Sequence, residues 1–263
     1  MRLYQFWSDL AAAQNASLLL DYDGTLAPFR IERNQATPYP GVREKLAAIR
    51  ADTETRLVII SGRAIDDLLP LLGLDPPPEV WGCHGWERLT ADGHRPEVTL
   101  PKLAQAGMDK ARRWLEKQGL NDFCETKPAS LALHWRGRSA GQVKALRARL
   151  LAGWQPLAAA HQLEIHSFNG GLELRCPGRS KATAIESILA ELAAAASVAF
   201  LGDDLTDEDG FEAIKGRGLS VLVSGELRQT HADLQITPPS GLFDFLDQWY
   251  ISAPRKGRET EGR

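Results

Sequence analysis

Asp21-Tyr22-Asp23-Gly24-Thr25 sets two carboxylates two residues apart, immediately after the apolar run Leu18-Leu19-Leu20. Read as a buried parallel strand, that run delivers both acids to its carboxyl end, where open α/β sheets bind ligands. Charge is costly there unless it is paired or holds a metal ion. Gly24 permits a turn sharp enough to keep both acids near one point. Of two such carboxylates, one can attack phosphorus and the other can pass a proton to the leaving oxygen. An Asp-Gly at a strand end is often no more than an Asx turn, but two further polar clusters follow apolar runs of their own.

Gly202-Asp203-Asp204-Leu205-Thr206-Asp207 follows Val198-Ala199-Phe200-Leu201. Its acids could cap a helix, and for Glu208 and Asp209 favourable interaction with the helix dipole is a sufficient account. Asp203, directly after the strand, is better explained as a metal ligand. Mg²⁺ takes oxygen donors and keeps several waters, so two carboxylates and a backbone carbonyl suffice. Ser61-Gly62-Arg63 closes the run Leu57-Val58-Ile59-Ile60. A hydroxyl and exposed N–H groups at a helix start can hold a phosphate, or Ser61 can simply cap the helix. Lys181 opens a helix after Gly178-Arg179-Ser180 and would supply the cation that the carboxylates need.

The elements that must position these groups alternate. Strands are expected at 17–22, 56–60, 79–82, 198–201 and 219–223, and helices after Gly41 to near Arg50 and at 64–69, 181–196, 207–215 and 242–250. Residues 86–90 and the segment after Asp92-Gly93 read as a hairpin. This order gives an α/β fold with a parallel sheet. From Val98 the pattern changes. Ala104, Met108, Ala111 and Leu115 mark an amphipathic helix ended by Gly119, followed by strands at 123–127 and 131–136. A second helix through Val143, Leu146 and Leu150 is kinked or stopped by Pro156, and strands at 163–167 and 172–175 flank Asn169-Gly170-Gly171. This αββαββ unit reads as an α+β domain inserted into the first. The core then comprises residues 1–98 and 177–251, the insertion 99–176, and a charged, disordered tail 252–263.

The inserted strands alternate. Leu131, Leu133 and Trp135 fall on one face, and Ala132, His134 and Arg136 on the other. Glu173 and Arg175 oppose Leu172 and Leu174. A sheet packed on helices keeps one free face, which here would carry Glu125, Lys127, His134, Arg136 and Glu173. Carboxylates and bidentate cations suit sugar hydroxyls, although a solvated sheet surface is the plainer account. Phe123 falls on the polar side, where it could stack on a sugar ring.

Composition narrows the rest. With 263 residues, 43% hydrophobic, the chain can build one large domain or two smaller ones. Its 31 basic and 34 acidic residues give a net charge of −3, which excludes a generally basic nucleic-acid binder and an acidic disordered chain. Cys83, Cys124 and Cys176 are odd in number and far apart, arguing against a disulfide scaffold or structural zinc. No apolar run approaches the ~20 residues of a membrane span, and residues 1–15 do not read as a signal peptide. A cytoplasmic monomer with no nucleic-acid or membrane partner is expected.

In order, DYDGT, Ser61, Lys181 and GDDLTD resemble the four motifs of the haloacid dehalogenase-like phosphatases, and the insertion resembles their C2-type cap. The resemblance implies that Asp21 forms an aspartyl-phosphate and that Asp23 acts as general acid, then base. It implies that Asp21, the Asp23 carbonyl and Asp203 hold Mg²⁺, and that Ser61 and Lys181 bind the transferring phosphoryl group. Longer stretches, ETKPASLALHWR, ELRCPGRSKATAI, GCHGWE and LGDDLTDEDGFEAI, are similar to the trehalose-6-phosphate phosphatase family. Departures are Cys83 where Asn is usual, Cys176 before Pro177, and Ala182 in place of Gly. This likeness implies hydrolysis of a small phosphorylated disaccharide, trehalose 6-phosphate, to trehalose and phosphate. Glu125, Lys127, Arg136 and Glu173 would bind glucose hydroxyls, and Arg63, His84 and Gly85 would serve from the core. The rivals are the same chemistry on glucosylglycerol phosphate or sucrose phosphate, a phosphosugar mutase, and a noncatalytic phosphosugar sensor.

Overall fold

The computed structural model describes residues 3–30, 32–135, 137–168 and 170–257. Two compact units divide the chain, Met1–Arg95 with Ser180–Arg263, and Pro96–Arg179. The first unit begins with α1 (Leu3–Ala12), β1 (Ala16–Leu20), α2 (Val42–Asp52), β2 (Thr55–Ile60), α3 (Ile65–Leu72), β3 (Glu79–Gly82) and β4 (Glu87–Leu89). The second contains α4 (Lys102–Gln118), β5 (Cys124–Lys127), β6 (Ser130–His134), α5 (Ala140–His161), β7 (Glu164–Phe168) and β8 (Gly171–Arg175). The chain then completes the first unit with α6 (Lys181–Glu191), β9 (Ser197–Gly202), α7 (Glu208–Ala213), β10 (Leu219–Val223), β11 (Leu234–Ile236) and α8 (Ser240–Ser252).

The core sheet runs β11-β10-β9-β1-β2-β3-β4, and every adjacent pair is parallel except β3–β4. All five residues of β1 are buried, because helices cover both faces of the sheet. That is why its sequence is continuously apolar rather than alternating. Leu18 and Leu20 enter one core with Leu10 of α1, Leu46 of α2, Leu68 of α3 and Trp249 of α8. Leu19 points to the opposite core, with Ile185 of α6, Phe200 of β9 and Phe211 of α7. Strand order reverses at β1, with β2 and β3 on one side and β9 and β10 on the other. The carboxyl end of β1 is therefore a topological switch point.

The second unit is an antiparallel sheet of order β5-β6-β8-β7 with α4 and α5 packed on it. Leu131, Leu133, Leu172 and Leu174 are buried, as are Met108 and Leu115 of α4 and Leu150 of α5.

Several elements differ from the sequence reading. Helix α1 was not anticipated, nor was the three-residue β11. Strand β4 pairs with β3, and the segment after Asp92-Gly93 contributes a turn in which Thr90 N donates to His94 O at 2.9 Å. Helix α5 continues through Pro156 to His161. Pro156 is exposed, so water can satisfy the carbonyl whose helical donor it removes. Helix α6 ends at Glu191, where Leu192 turns extended. Residues 253–257 are not a free tail: Glu54 N donates to Pro254 O at 2.7 Å and Lys256 N to Asp52 O at 3.1 Å.

Candidate active site

Asp21 continues the β1 ladder, its N–H donating to Leu201 O of β9 at 2.8 Å. The backbone thus delivers the carboxylate to the switch point. Lys181 Nζ donates to Asp21 Oδ1 and to Asp207 Oδ1, each at 2.6 Å. Thr25 Oγ1 donates to Asp21 Oδ2 at 3.2 Å. Lys181 is fixed because it opens α6 behind a reciprocal cap in which Ser180 and Thr183 exchange side-chain and backbone bonds. Asp207 Oδ2 accepts from the N–H groups of Asp203 and Asp204 at 3.1 and 3.0 Å. Gly24 has φ of +88°, and a Cβ there would collide with the Asp203 carboxylate. Only glycine lets the two acidic loops approach this closely.

Asp21, Asp203 and Asp207 each offer an oxygen within 4.8 Å of the others. One ammonium does not neutralise three carboxylates. Burial pushes the Asp21 carboxyl up to about 7, the Lys181 charge offsetting this only in part. Burial, then the charges of Asp21 and Asp207, hold Asp203 well above the usual carboxylate range. Burial pulls Lys181 down, but Asp207 and Asp21 outweigh it and keep the amine charged. The cluster is short of positive charge and its donors are hard oxygens, so it fits a divalent cation such as Mg²⁺. Asp207 has both oxygens engaged by Lys181 and the loop N–H groups, as Asp21 has by Lys181 and Thr25, so the candidate cation site is the set of three carboxylates.

Asp23 is engaged otherwise. Arg63 Nε and Nη2 donate to its two oxygens, both at 2.6 Å. The Arg63 guanidinium lies 5.7 Å from the Tyr22 ring centroid. Ser61 follows β2 and is buried, its Oγ accepting from Arg63 N at 3.1 Å. His84 N donates to Ser61 O at 3.0 Å, and a Cβ on Gly62 would lie 2.6 Å from His84 Nε2. Gly85 packs on the start of α6, where a Cβ would meet Ser180 O at 3.0 Å.

Cys83, His84 and Gly85 all have left-handed backbone, with φ of 51°, 57° and 97°. A non-glycine residue held there costs about 1–3 kcal/mol, and Asn tolerates it better than Cys. Cys83 Sγ lies 3.3 Å from Glu87 Oε2, an acceptor that an Asn amide would also reach. Cys83→Asn is expected to raise the thermal midpoint by about 1–4 °C. A lowered midpoint in a thermal melt would contradict the strain argument.

In the second unit, register places Glu125, Ala132, Glu173 and His166 in one row, and Lys127, Ser130, Arg175 and Glu164 in the next. Both rows share a face, and their charges meet one another. Glu173 Oε1 accepts from Lys127 Nζ at 3.3 Å and Ser130 Oγ at 2.7 Å, while its Oε2 accepts from Arg175 Nε at 2.6 Å. Glu125 Oε2 lies 3.0 Å from His134 Nε2. Lys127 and Glu173 are 6% and 2% exposed, so the centre of this face is a buried ion-pair network, while the side chains of Glu164 and His166 at its β7 edge are open to solvent. Phe123 precedes β5 and is capped by the Arg138 guanidinium at 4.2 Å. Arg136 lies outside the described residues.

The trehalose-phosphatase family profile matches residues 19–234. The chain belongs to the trehalose-phosphatase family. Trehalose-phosphate phosphatase of Mycobacterium avium is 28% identical over 263 aligned residues, covering 92% of this chain and 63% of that protein. The chain therefore spans less than two thirds of that relative's length. The structure of Aspergillus fumigatus trehalose-6-phosphate phosphatase is 25% identical and superposes with a TM-score of 0.67, covering 96% of this chain and 98% of that one. The C-terminal domain of a Candida albicans trehalose synthase regulatory protein reaches the same TM-score of 0.67 at 13% identity, covering 94% and 97% of the two chains. That likeness is one of fold alone. The expected haloacid dehalogenase-like α/β fold is borne out.

In this trehalose-phosphatase family member several groups outside the named site positions also make polar contacts. Thr25 sits inside DYDGT, and its hydroxyl was a visible candidate partner for a nearby carboxylate. Ser130 lies two residues from Ala132, a named position on that face, and is reachable by extending the alternation. Glu208 does more than face a helix dipole: its carboxylate accepts from Arg228, Thr230 and His231. No sequence spacing signals those pairings. Among the described residues, no helix is long and apolar enough to cross a membrane.

Proposed function

We propose that the protein is a Mg²⁺-dependent phosphatase of trehalose 6-phosphate. The observation that carries this reading is the buried Asp21–Lys181–Asp207 cluster with Asp203 at the switch point, together with family membership. Asp21 attacks phosphorus and forms an aspartyl-phosphate, while the sugar oxygen leaves with a proton from Asp23. Asp23 then takes a proton from water as that water attacks the phosphoryl group, and Asp21 is restored as phosphate departs. Both Asp23 oxygens accept from Arg63, so the acid step requires this pair to loosen as substrate enters. Lys181 and the Ser61 hydroxyl hold phosphoryl oxygens, and His84 flanks them over Gly62. Asp21, Asp203 and the Asp23 carbonyl would hold Mg²⁺, which neutralises charge between the nucleophile and the anionic phosphate. Glu125, Lys127, Arg136 and Glu173 recognise glucose hydroxyls. The three thiols are free, which suits a reducing cytoplasm.

The charge imbalance fixes the sign of a pH effect. The folded Asp21 carboxyl titrates at about 7 rather than 3.8, so the folded state binds more protons across that interval. The Asp21 contribution to metal-free stability is thus full below the ordinary carboxylate range and is lost as pH rises through about 7. Mg²⁺ replaces those protons and stabilises the folded state by binding it selectively. The rise in thermal midpoint on adding Mg²⁺ should grow from about pH 5 to about pH 8. Equal rises at both would contradict the site.

Phosphorus NMR of trehalose 6-phosphate incubated with the protein, with Mg²⁺ or with chelator, tests the function. Loss of the ester signal and growth of inorganic phosphate are expected only with Mg²⁺. An isomeric phosphate ester would mean a mutase, and bound but unchanged substrate a sensor; either result overturns the proposal.

A further inference from the structure

The motif IV loop leaves β9 at Gly202 and carries Asp203. Asp207 holds this loop from one side through the N–H groups of Asp203 and Asp204. Its carbonyls are held from another direction by a residue outside every motif. Arg228 Nη2 donates to Asp204 O at 3.2 Å and Asp203 O at 3.4 Å. Its Nη1 donates to Gln229 O at 3.1 Å and pairs with Glu208 Oε1 at the start of α7. Glu208 in turn accepts from His231 N at 2.7 Å and Thr230 Oγ1 at 3.2 Å. One guanidinium therefore ties the metal-side loop, the first turn of α7 and the segment after β10 together.

We infer that Arg228, held by Glu208, is a positioning residue that orients the Asp203 backbone for binding a divalent cation. The inference rests on the reading of Asp203 as a metal carboxylate. Mg²⁺ demands near-octahedral geometry with oxygens at about 2.0–2.1 Å, so backbone freedom at a ligand weakens binding steeply. A planar fork can reach two carbonyls and a carboxylate at once, which a lysine ammonium on a flexible stem does less well. The Arg228 and Glu208 side chains are 24% and 15% exposed, and the clasp they form joins loop segments rather than core layers. Its loss should therefore appear in metal affinity more than in global stability. Groups that orient metal ligands typically contribute about 10–100-fold in affinity.

Mn²⁺ binding to the full chain, read by electron paramagnetic resonance without substrate, tests the inference. Arg228→Ala is expected to raise the Mn²⁺ dissociation constant about tenfold, with the metal-free thermal midpoint within a few degrees of wild type. Arg228→Lys should recover part of the affinity, Glu208→Gln should lose a smaller part, and the double variant should bind no worse than Arg228→Ala. Variants that bind Mn²⁺ within about twofold of wild type, or losses that simply add in the double variant, would overturn the positioning role and leave the metal site standing. If Arg228→Ala does not fold, Arg228→Lys and Glu208→Gln give the same comparison. Wild-type protein that binds no Mn²⁺ would overturn the metal reading itself, whatever its phosphatase activity.

Discussion

Asp21→Asn is expected to fold as the wild type does and to lose phosphatase turnover by about 10⁴-fold or more, the scale seen when a nucleophile is removed from an intact site. The amide matches the carboxylate in size but cannot form an acyl phosphate. Its surroundings survive the change: Lys181 keeps Asp207 Oδ1, and Thr25 keeps an acceptor. Because burial disfavours the Asp21 charge, the neutral amide should leave the metal-free thermal midpoint unchanged or higher, and less sensitive to pH. Turnover and a thermal melt on the same preparation decide the matter. Folded Asp21→Asn protein with near wild-type turnover would remove the covalent mechanism.

The second large effect concerns the sugar. The ion-pair network changes which variant is informative. Glu173→Ala would strand Lys127 and Arg175 beside a cavity, and breaking a buried pair in this way costs about 3–5 kcal/mol. Activity toward every substrate would then fall for structural reasons. Glu173→Gln keeps the volume and an acceptor for Ser130 and Lys127 while removing the charge. A lost hydrogen bond to a charged group is worth about 1.5–3 kcal/mol. Glu173→Gln and Glu125→Gln are therefore expected to lower kcat/KM for trehalose 6-phosphate by about 10–100-fold while leaving a small aryl phosphate nearly unaffected. The aryl ester offers no glucose hydroxyls, so it reports on the core alone. Equal losses on both substrates would make these carboxylates purely structural.

What could be read beforehand depended on the range of the interaction. Leu18-Leu19-Leu20 announces a strand covered on both faces, and an acid after such a run has few reasons to be there. The same logic placed Ser61 and Asp203. Period-two alternation put Glu125, Lys127, His134 and Glu173 on one face, because strand geometry is local. That these charges neutralise one another was not legible, since it depends on Ser130 lying opposite Arg175 across two strands. Arg63 reaches Asp23 across forty positions and Arg228 reaches Asp203 across twenty-five; no spacing rule marks either pair. Helix α1 escaped notice because only Phe6 and Leu10 of its residues are buried. Three-residue β11 is shorter than any reliable periodic signal.

The central claim is that a core able to handle phosphomonoesters is restricted to trehalose 6-phosphate by the polar face of the inserted unit. The most direct measurement is the ratio of kcat/KM for trehalose 6-phosphate to that for glucose 6-phosphate, by phosphate release at saturating Mg²⁺. Two or more lost hydrogen bonds to charged groups predict a ratio of about 100 or more. A ratio near one, or a higher value for sucrose phosphate or glucosylglycerol phosphate than for trehalose 6-phosphate, would contradict the account.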